Sequence, residues 1–295
     1  MLGILFGLIA ALLQSTSYLC LRLFFKRHNN DVVKVLVLSH IIMGIISIPL
    51  AIHLMPETMP KVSDYIYSLL GTAGFYLLGQ LFLFAAIVRS EPSRVSPFLG
   101  MKIFILAVIS VVFFQQSFGL AKWLAVILST SSIFLLYNSG KKLDLKCLCL
   151  IVLACFSYCL SDLGIKALVD DFRFLGLLRG ACLSTALCYS LCGVFGVLVL
   201  FFVPGKLTRD TWLYSLPFAF SWLIAMIFMF SCIGLVGVVF ANILQSTRGI
   251  MSVALGFLIA HAGFVALEPK ITKKILMQRI LAAILMTISI AMFLL

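Results

Sequence analysis

Two basic residues interrupt long apolar runs of the sequence. Lys102 stands in PFLGMKIFILAVIS and Arg248 stands in ANILQSTRGIMS, and neither stretch contains an Asp or a Glu. Ammonium and guanidinium groups form strong, charge-assisted hydrogen bonds with carboxylate and phosphate. A charge deep in a membrane is costly and usually serves a function. The two residues are therefore candidates for an anion-binding site, although a long basic side chain can also extend to a membrane surface.

Polar side chains at helical spacing accompany these cations. Gln245 precedes Arg248 by three residues, Ser252 follows it by four, and Asn242 lies close to the same helical stripe. Further sets one turn apart occur in other apolar segments, and each Gln or Tyr could alternatively form hydrogen bonds between helices. The predicted substrate-binding residues are Lys102, Arg248, Gln245, Asn242, Gln14, Tyr18, Tyr76, Gln80 and Tyr158.

Asp162 is a carboxylate inside an apolar segment, and Lys166 follows it by one helical turn. We expect these two residues to form an ion pair near a helix end. The alternative is that Asp162 is a proton-coupling site or a counter-charge to Lys102 or Arg248. Catalysis by side chains would need clustered carboxylates, an activated nucleophile or a metal set. Asp162 is a single intramembrane carboxylate without such a cluster, so we predict no enzyme activity. Nine cysteines are scattered without zinc spacing, so we predict no metal and no cofactor.

The composition indicates whether these residues lie in a membrane or in a water-soluble domain. Of 295 residues, 63% are hydrophobic and 11% are charged, and the mean hydropathy is +1.20. A soluble domain is about half apolar and about a quarter charged. The net charge of +12 does not indicate a nucleic-acid partner, because the basic residues cluster between apolar runs as they do at membrane surfaces. The sequence predicts a multi-pass membrane protein.

Apolar segments long enough to cross about 30 Å of hydrocarbon as helices set the predicted fold class. We predict an all-α integral membrane protein with ten transmembrane helices and no soluble domain between them. The least certain boundary lies at 234–238, which contains no polar residue. The predicted spans are 2–21, 35–55, 65–88, 95–114, 119–138, 145–165, 180–203, 211–233, 237–260 and 276–295.

The sequence also repeats itself. LFLFAAI at 81–87 matches IFMFSCI at 227–233, and the same offset of 146 residues places Lys102 on Arg248. The first spans of the two halves match at an offset of 144. Five spans per half is an odd number, so 1–141 and 142–295 are predicted to be inverted repeats. Lys102, about seven residues inside its span, and Arg248 should then face one central cavity, with polar groups from spans 1, 3, 6 and 9.

Ten spans in two five-span repeats resemble the EamA-like family of the drug/metabolite transporter superfamily over the whole chain. Ser96-Pro97 at the start of span 4 and Lys122-Trp123-Leu124 at the start of span 5 are similar to family wording. Gln115-Gln116 stands where the family often has Gly-Glu, and span 1 lacks the common Trp-Gly. The resemblance implies fold and transport, and these departures leave the substrate open.

By this resemblance, we expect a secondary transporter that moves a small anionic or zwitterionic metabolite by alternating access. Its basic residues in spans 4 and 9 are similar to those with which organic-phosphate carriers of the family hold phosphate. The alternative is a flippase for a lipid-linked anion of the polyprenyl-phosphate type. The expected partners are the small-molecule substrate and the lipid bilayer, and the protein would be a monomer or homodimer in the cell (inner) membrane.

Charge and family disagree about orientation. Predicted loops on the side of the two termini carry five Lys and Arg, and loops on the opposite side carry fifteen. Cytoplasmic loops carry the excess of basic residues in membrane proteins. The charge distribution therefore predicts that both termini lie outside the cytoplasm, whereas members of the resembling family are usually drawn with both termini inside.

Overall fold

The protein is all helical over the residues that the structure describes. The computed structural model describes residues 1–28, 31–89, 99–135, 144–203, 207–248, 250–251, 254–255 and 273–293. Within these ranges the chain forms ten α-helices and a short 3-10 helix, Arg173–Leu175, and no β-strand. The helices are α1 Leu2–Arg27, α2 Val32–Leu54, α3 Val62–Arg89, α4 Met101–Val112, α5 Leu120–Leu135, α6 Leu145–Asp171, α7 Leu177–Leu200, α8 Arg209–Val236, α9 Val238–Ser246 and α10 Lys273–Phe293.

The all-α prediction is confirmed, and each predicted span overlaps a helix of the structure. Six of the described helices are long and apolar enough to cross a membrane: α1, α2, α3, α6, α7 and α8. Helices α4 and α5 are apolar but shorter. The count of ten spans therefore stays a prediction. At the uncertain boundary 234–238, only Gly237 separates α8 from α9, and its φ of 82° is a conformation that favours glycine.

The helices at the two cations differ from their predicted spans. Helix α4 begins at Met101 instead of 95, so Lys102 lies in the first turn of the helix and not seven residues inside it; residues 95–98 are outside the described ranges. Helix α9 ends at Ser246, with Arg248 just beyond. The hydroxyl groups of Ser246 and Thr247 donate to carbonyls three residues earlier, at 2.6 and 2.7 Å. Such bonds compete with the helical amides for these carbonyls and favour a helix end.

The most extensive helix contacts join the two halves of the sequence. These pairs are α3 with α6, α1 with α8, α2 with α7 and α5 with α10. If each helix of the first half is exchanged with its counterpart in the second, for instance α1 with α6 and α3 with α8, this set of pairs is unchanged. Two interlocking repeats would pack in this way. The repeat boundaries, 1–141 and 142–295, remain a prediction.

Helices α2 and α7 cross at two glycines. A Cβ atom added to Gly193 would lie 2.6 Å from the Cα atom of Gly44, and one added to Gly44 would lie 2.7 Å from the Cα atom of Gly193. Small residues at such crossings let two helix backbones approach each other in a membrane protein. The close approach brings His40 on α2 and Tyr189 on α7, each one turn before its glycine, next to the aromatic side chains of α3 and α8.

Candidate functional site

A central cavity collects nearly all of the residues that the sequence singles out. It has a volume of about 110 Å³, enough for several water molecules, and is lined from α1, α3, α4, α6, α7, α8 and α9. Lys102 and Arg248 both line it. The other predicted residues in its wall are Gln14, Tyr18, Tyr76, Gln80, Tyr158, Asp162 and Gln245.

Lys102 is neutralised inside the cavity by Asp162. The Lys102 Nζ atom lies 2.7 Å from the Asp162 Oδ2 atom, and only 13% and 9% of the two side chains are exposed. The ammonium also lies 5.8 Å from the ring centre of Tyr158, a cation–π distance. A cation in the first turn of a helix opposes the helix dipole, so Lys102 has a further need of a counter-charge.

The predicted ion pair between Asp162 and Lys166 is wrong. Lys166 instead pairs with Asp170, one turn further along α6, where 31% and 41% of the two side chains are exposed. Asp162 lies on the buried face of the same helix. A buried carboxylate without a partner is much more costly than an exposed one, and Lys102 offers it a buried cation. The alternative interpretation, Asp162 as a counter-charge to Lys102, describes the observed contact.

Asn242 contacts the same carboxylate from behind. Its Nδ2 atom donates to Asp162 Oδ2 at 2.8 Å and to the carbonyl oxygen of Val238 at 2.9 Å. Asn242 is 3% exposed and does not line the cavity. Its side chain is directed toward Asp162 on α6, whereas Gln245 on the same helix lines the cavity. Asn242 therefore positions Asp162 instead of facing a substrate. Ser252, which the sequence places on the same stripe, lies outside the described residues.

Arg248 has only neutral partners among the residues of the described ranges. Its Nη1 atom donates to Gln14 Oε1 at 3.5 Å, and its guanidinium carbon lies 5.9 Å from the ring centre of Tyr18. Gln245 donates to the same Gln14 oxygen at 3.1 Å. Ser15 donates to the backbone carbonyl of Arg248 at 2.8 Å and fixes the chain just after α9. The guanidinium is thus held in place without a described carboxylate to balance its charge.

Tyr76, Tyr189 and Trp222 form an aromatic wall of the cavity. His40 Nδ1 donates to the Leu36 carbonyl at 2.7 Å, so in the neutral ring Nε2 accepts a hydrogen bond from the Tyr76 hydroxyl at 3.1 Å. Trp222 Nε1 donates to the Tyr189 hydroxyl at 2.9 Å. These bonds satisfy the polar atoms of the large rings where burial would otherwise be costly.

The prediction of Lys102 from span 4 and of polar groups from spans 1, 3, 6 and 9 misses the contributions of α7 and α8 to this cavity. The repeat contained a signal for one of them, because the offset of 146 residues relates Tyr76 to Trp222. Tyr189 had no such signal. His40, to which the sequence assigns no role, lies behind Tyr76.

The cavity combines two cations with one carboxylate in apolar and aromatic surroundings. Electrostatic interactions are stronger there than in water, because the effective dielectric constant is lower. The described lining is therefore suited to an anionic group at Arg248 and an apolar body against the rings. Over the described ranges, no group of three or more His, Cys, Asp or Glu side chains could hold a metal ion.

Comparison with known proteins identifies the family. Residues 1–138 match the EamA-like transporter family. Residues 1–138, just under half of the chain, are therefore EamA-like. This family is part of the drug/metabolite transporter superfamily, so the predicted family is confirmed. The match and the six apolar helices of membrane-spanning length indicate a multi-pass membrane transporter of the drug/metabolite transporter type, and members of the matched family are generally not enzymes.

The fold also occurs in a solved protein whose description reads only "Crystal structure of protein". That structure has a TM-score of 0.70 and 13% sequence identity, and the match covers 97% of the EamA-like chain and 95% of the other. At this identity the similarity concerns the fold alone. Among curated proteins, none matches the chain.

Proposed function

We propose that this transporter carries a small anionic or zwitterionic metabolite whose anionic group binds Arg248. The observation that carries the proposal is the charge of the cavity. Lys102 has a carboxylate at 2.7 Å, whereas the partners of Arg248 in the described chain are the Gln14 amide and the Tyr18 ring. Arg248 is partly buried, and a cation largely removed from water without a counter-charge is costly, so an incoming anion would reduce that cost.

The chemistry of Arg248 suits a carboxylate or a phosphate. A guanidinium group offers parallel N–H donors that match two oxygens of such an anion. Gln14 and Gln245, which form a hydrogen bond with each other beside Arg248, hold this group in one position. The aromatic wall would contact the apolar part of the substrate.

Transport would follow the alternating-access scheme. The cavity lies between helices of residues 1–141 and helices of residues 142–295, and the extensive helix pairs each join the two segments. A rocking motion of one segment against the other would open the cavity to alternate sides around a fixed site. This arrangement supports a transporter with a central site at the interface of its two repeats.

Binding to the purified full-length protein tests the proposal. Hexanoate and hexanamide have the same carbon chain and differ in charge, so the pair isolates the anionic group. Hexanoate should raise the thermal stability of the protein in a concentration-dependent way, because a ligand that binds only the folded state stabilises it. Hexanamide should not, and Arg248→Gln should lose the response. Equal stabilisation by both compounds, or an unchanged response in Arg248→Gln, would overturn the proposal.

A further inference from the structure

The two cations of the cavity lie in corresponding positions of the predicted repeats. An offset of 146 residues relates Lys102 to Arg248, and the offset of 144 that relates α1 to α6 pairs Gln14 with Tyr158 and Tyr18 with Asp162. Each cation contacts the first helix of the opposite half: Lys102 contacts α6, and Arg248 contacts α1.

The contacts themselves correspond. Lys102 lies 5.8 Å from the Tyr158 ring and 2.7 Å from the Asp162 carboxylate, one turn apart on α6. Arg248 meets the two matching positions of α1, with Gln14 Oε1 at 3.5 Å and the Tyr18 ring at 5.9 Å. Corresponding positions are contacted on both sides, but the side chains at them differ. The Gln14 amide of α1 stands where α6 has the Tyr158 ring. Where α6 presents a carboxylate, α1 presents a neutral phenol.

We propose that Asp162 is a built-in anion that fills the Lys102 side of the cavity and thereby limits the substrate to one anionic group. This inference rests on the proposed binding of the substrate's anionic group at Arg248. In this arrangement Asp162 does at Lys102 what the substrate does at Arg248. It is a specificity-determining residue, and the class of substrate is a compound with a single carboxylate or comparable anion on an apolar body.

The packing around Asp162 explains why a second anionic group would not displace it. Its Oδ2 atom forms the ion pair with the Lys102 ammonium and accepts a hydrogen bond from the Asn242 amide. The Asp162 side chain is 9% exposed. An anion at Lys102 would have to leave this carboxylate without its cation, and a buried charge that has lost its partner is strongly unfavourable. A second carboxylate on the ligand would also approach Asp162 itself, and the like charges would repel.

Ligands matched in carbon number test the inference. Succinate, glutarate and adipate are compared with butanoate, pentanoate and hexanoate by calorimetry on the full-length protein, so that no distance between the cations is assumed. The wild-type protein should bind each monocarboxylate at least tenfold more tightly than its dicarboxylate. Asp162→Asn should reverse or abolish that preference for at least one chain length. The double variant Lys102→Met/Asp162→Asn has no second cation and should not gain affinity for any dicarboxylate.

Tyr18 provides the reciprocal test and does not depend on the folding of Asp162→Asn. Tyr18→Asp would place a carboxylate before Arg248, as Asp162 stands before Lys102, and should weaken hexanoate binding at least tenfold. Tyr18→Asn, a neutral control of the same size, should bind hexanoate more tightly than Tyr18→Asp.

The outcomes separate the inference from the proposed function. If hexanoate binds the wild-type protein and Arg248→Gln equally, or binds neither, the proposed function fails. If hexanoate binding requires Arg248 while Asp162→Asn keeps the wild-type preference against every dicarboxylate, only the inference fails. Where Asp162→Asn does not fold, equal hexanoate affinity of Tyr18→Asp and Tyr18→Asn likewise overturns the inference alone.

Discussion

The Lys102 ammonium and the Asp162 carboxylate form an ion pair at 2.7 Å with no more than 13% of either side chain exposed. The residues are 60 positions apart in the sequence and join α4 to α6. Because both charges are largely removed from solvent, each depends on the other for its stability. The pair also leaves Arg248 as a cation of the cavity that has no carboxylate partner in the described chain, and this asymmetry underlies the proposed selectivity.

Removing one member of this pair should destabilise the protein. Asp162→Asn should lower the free energy of unfolding by about 3–5 kcal/mol, because Lys102 remains buried without a counter-charge. Lys102→Met/Asp162→Asn should recover most of that loss, since no charge remains. Chemical unfolding in detergent measures both. Asp170→Asn is the matched control, because the Asp170 side chain is 41% exposed and its pair with Lys166 should contribute at most about 1 kcal/mol. Equal losses in Asp162→Asn and Asp170→Asn would contradict the prediction.

Replacing Arg248 with Lys should weaken binding without abolishing it. The charge is kept, but the ammonium lacks the planar fork and cannot make the same contacts with Gln14 and a carboxylate. The dissociation constant of hexanoate should rise about tenfold, and that of Arg248→Gln should rise much further. Calorimetry gives both values. A lysine variant with wild-type affinity would show that charge alone is recognised at this position.

The crossing of α2 and α7 should not tolerate a methyl group. Gly193→Ala places a Cβ atom 2.6 Å from the Gly44 Cα atom and 3.2 Å from the His40 carbonyl, so the helices must separate. The expected loss of stability is about 1–3 kcal/mol, as for other overpacked sites. Gly74→Ala on α3 is the control, because nothing lies within 4 Å of its added Cβ atom. Thermal unfolding measures the loss. An equal decrease of the midpoint temperature in Gly193→Ala and Gly74→Ala would argue against a specific contact.

Tryptophan fluorescence should report ligand binding through Trp222. Its indole lines the cavity and donates to Tyr189 at 2.9 Å, whereas Trp123 does not line the cavity. Hexanoate should change the emission of the wild-type protein and of Trp123→Phe, but not of Trp222→Phe. The lost hydrogen bond in Trp222→Phe should cost about 0.6–2 kcal/mol of stability. A hexanoate signal that persists in Trp222→Phe would place the ligand elsewhere.

The distribution of basic residues makes a prediction about orientation. Fusion of an alkaline phosphatase after Leu295 should give an active enzyme, and a fluorescent protein that matures only in the cytoplasm should stay dark, because the more basic loops are expected inside. The reversed pair of results would show that the orientation usual for the family prevails over the charge distribution.

The sequence by itself indicated the class of protein and singled out the two cations that line the cavity. Composition and the length of apolar segments reflect the bilayer directly, since each helix must satisfy its own backbone in lipid. The offset of 146 residues linked Lys102 to Arg248 before any contact was known. These features are local or periodic, so they can be read along the chain.

Only the tertiary structure decided which groups neutralise one another. Lys166 is one turn from Asp162, but Asp162 pairs with Lys102 because burial on the inner face of α6 makes a buried partner far more valuable than a nearby exposed one. The helix ends at Met101 and Ser246, the turning of Asn242 toward Asp162, and the approach of Tyr189 likewise depend on packing between helices distant in sequence. Such contacts depend on which helices lie side by side, and spacing along one helix contains no record of that.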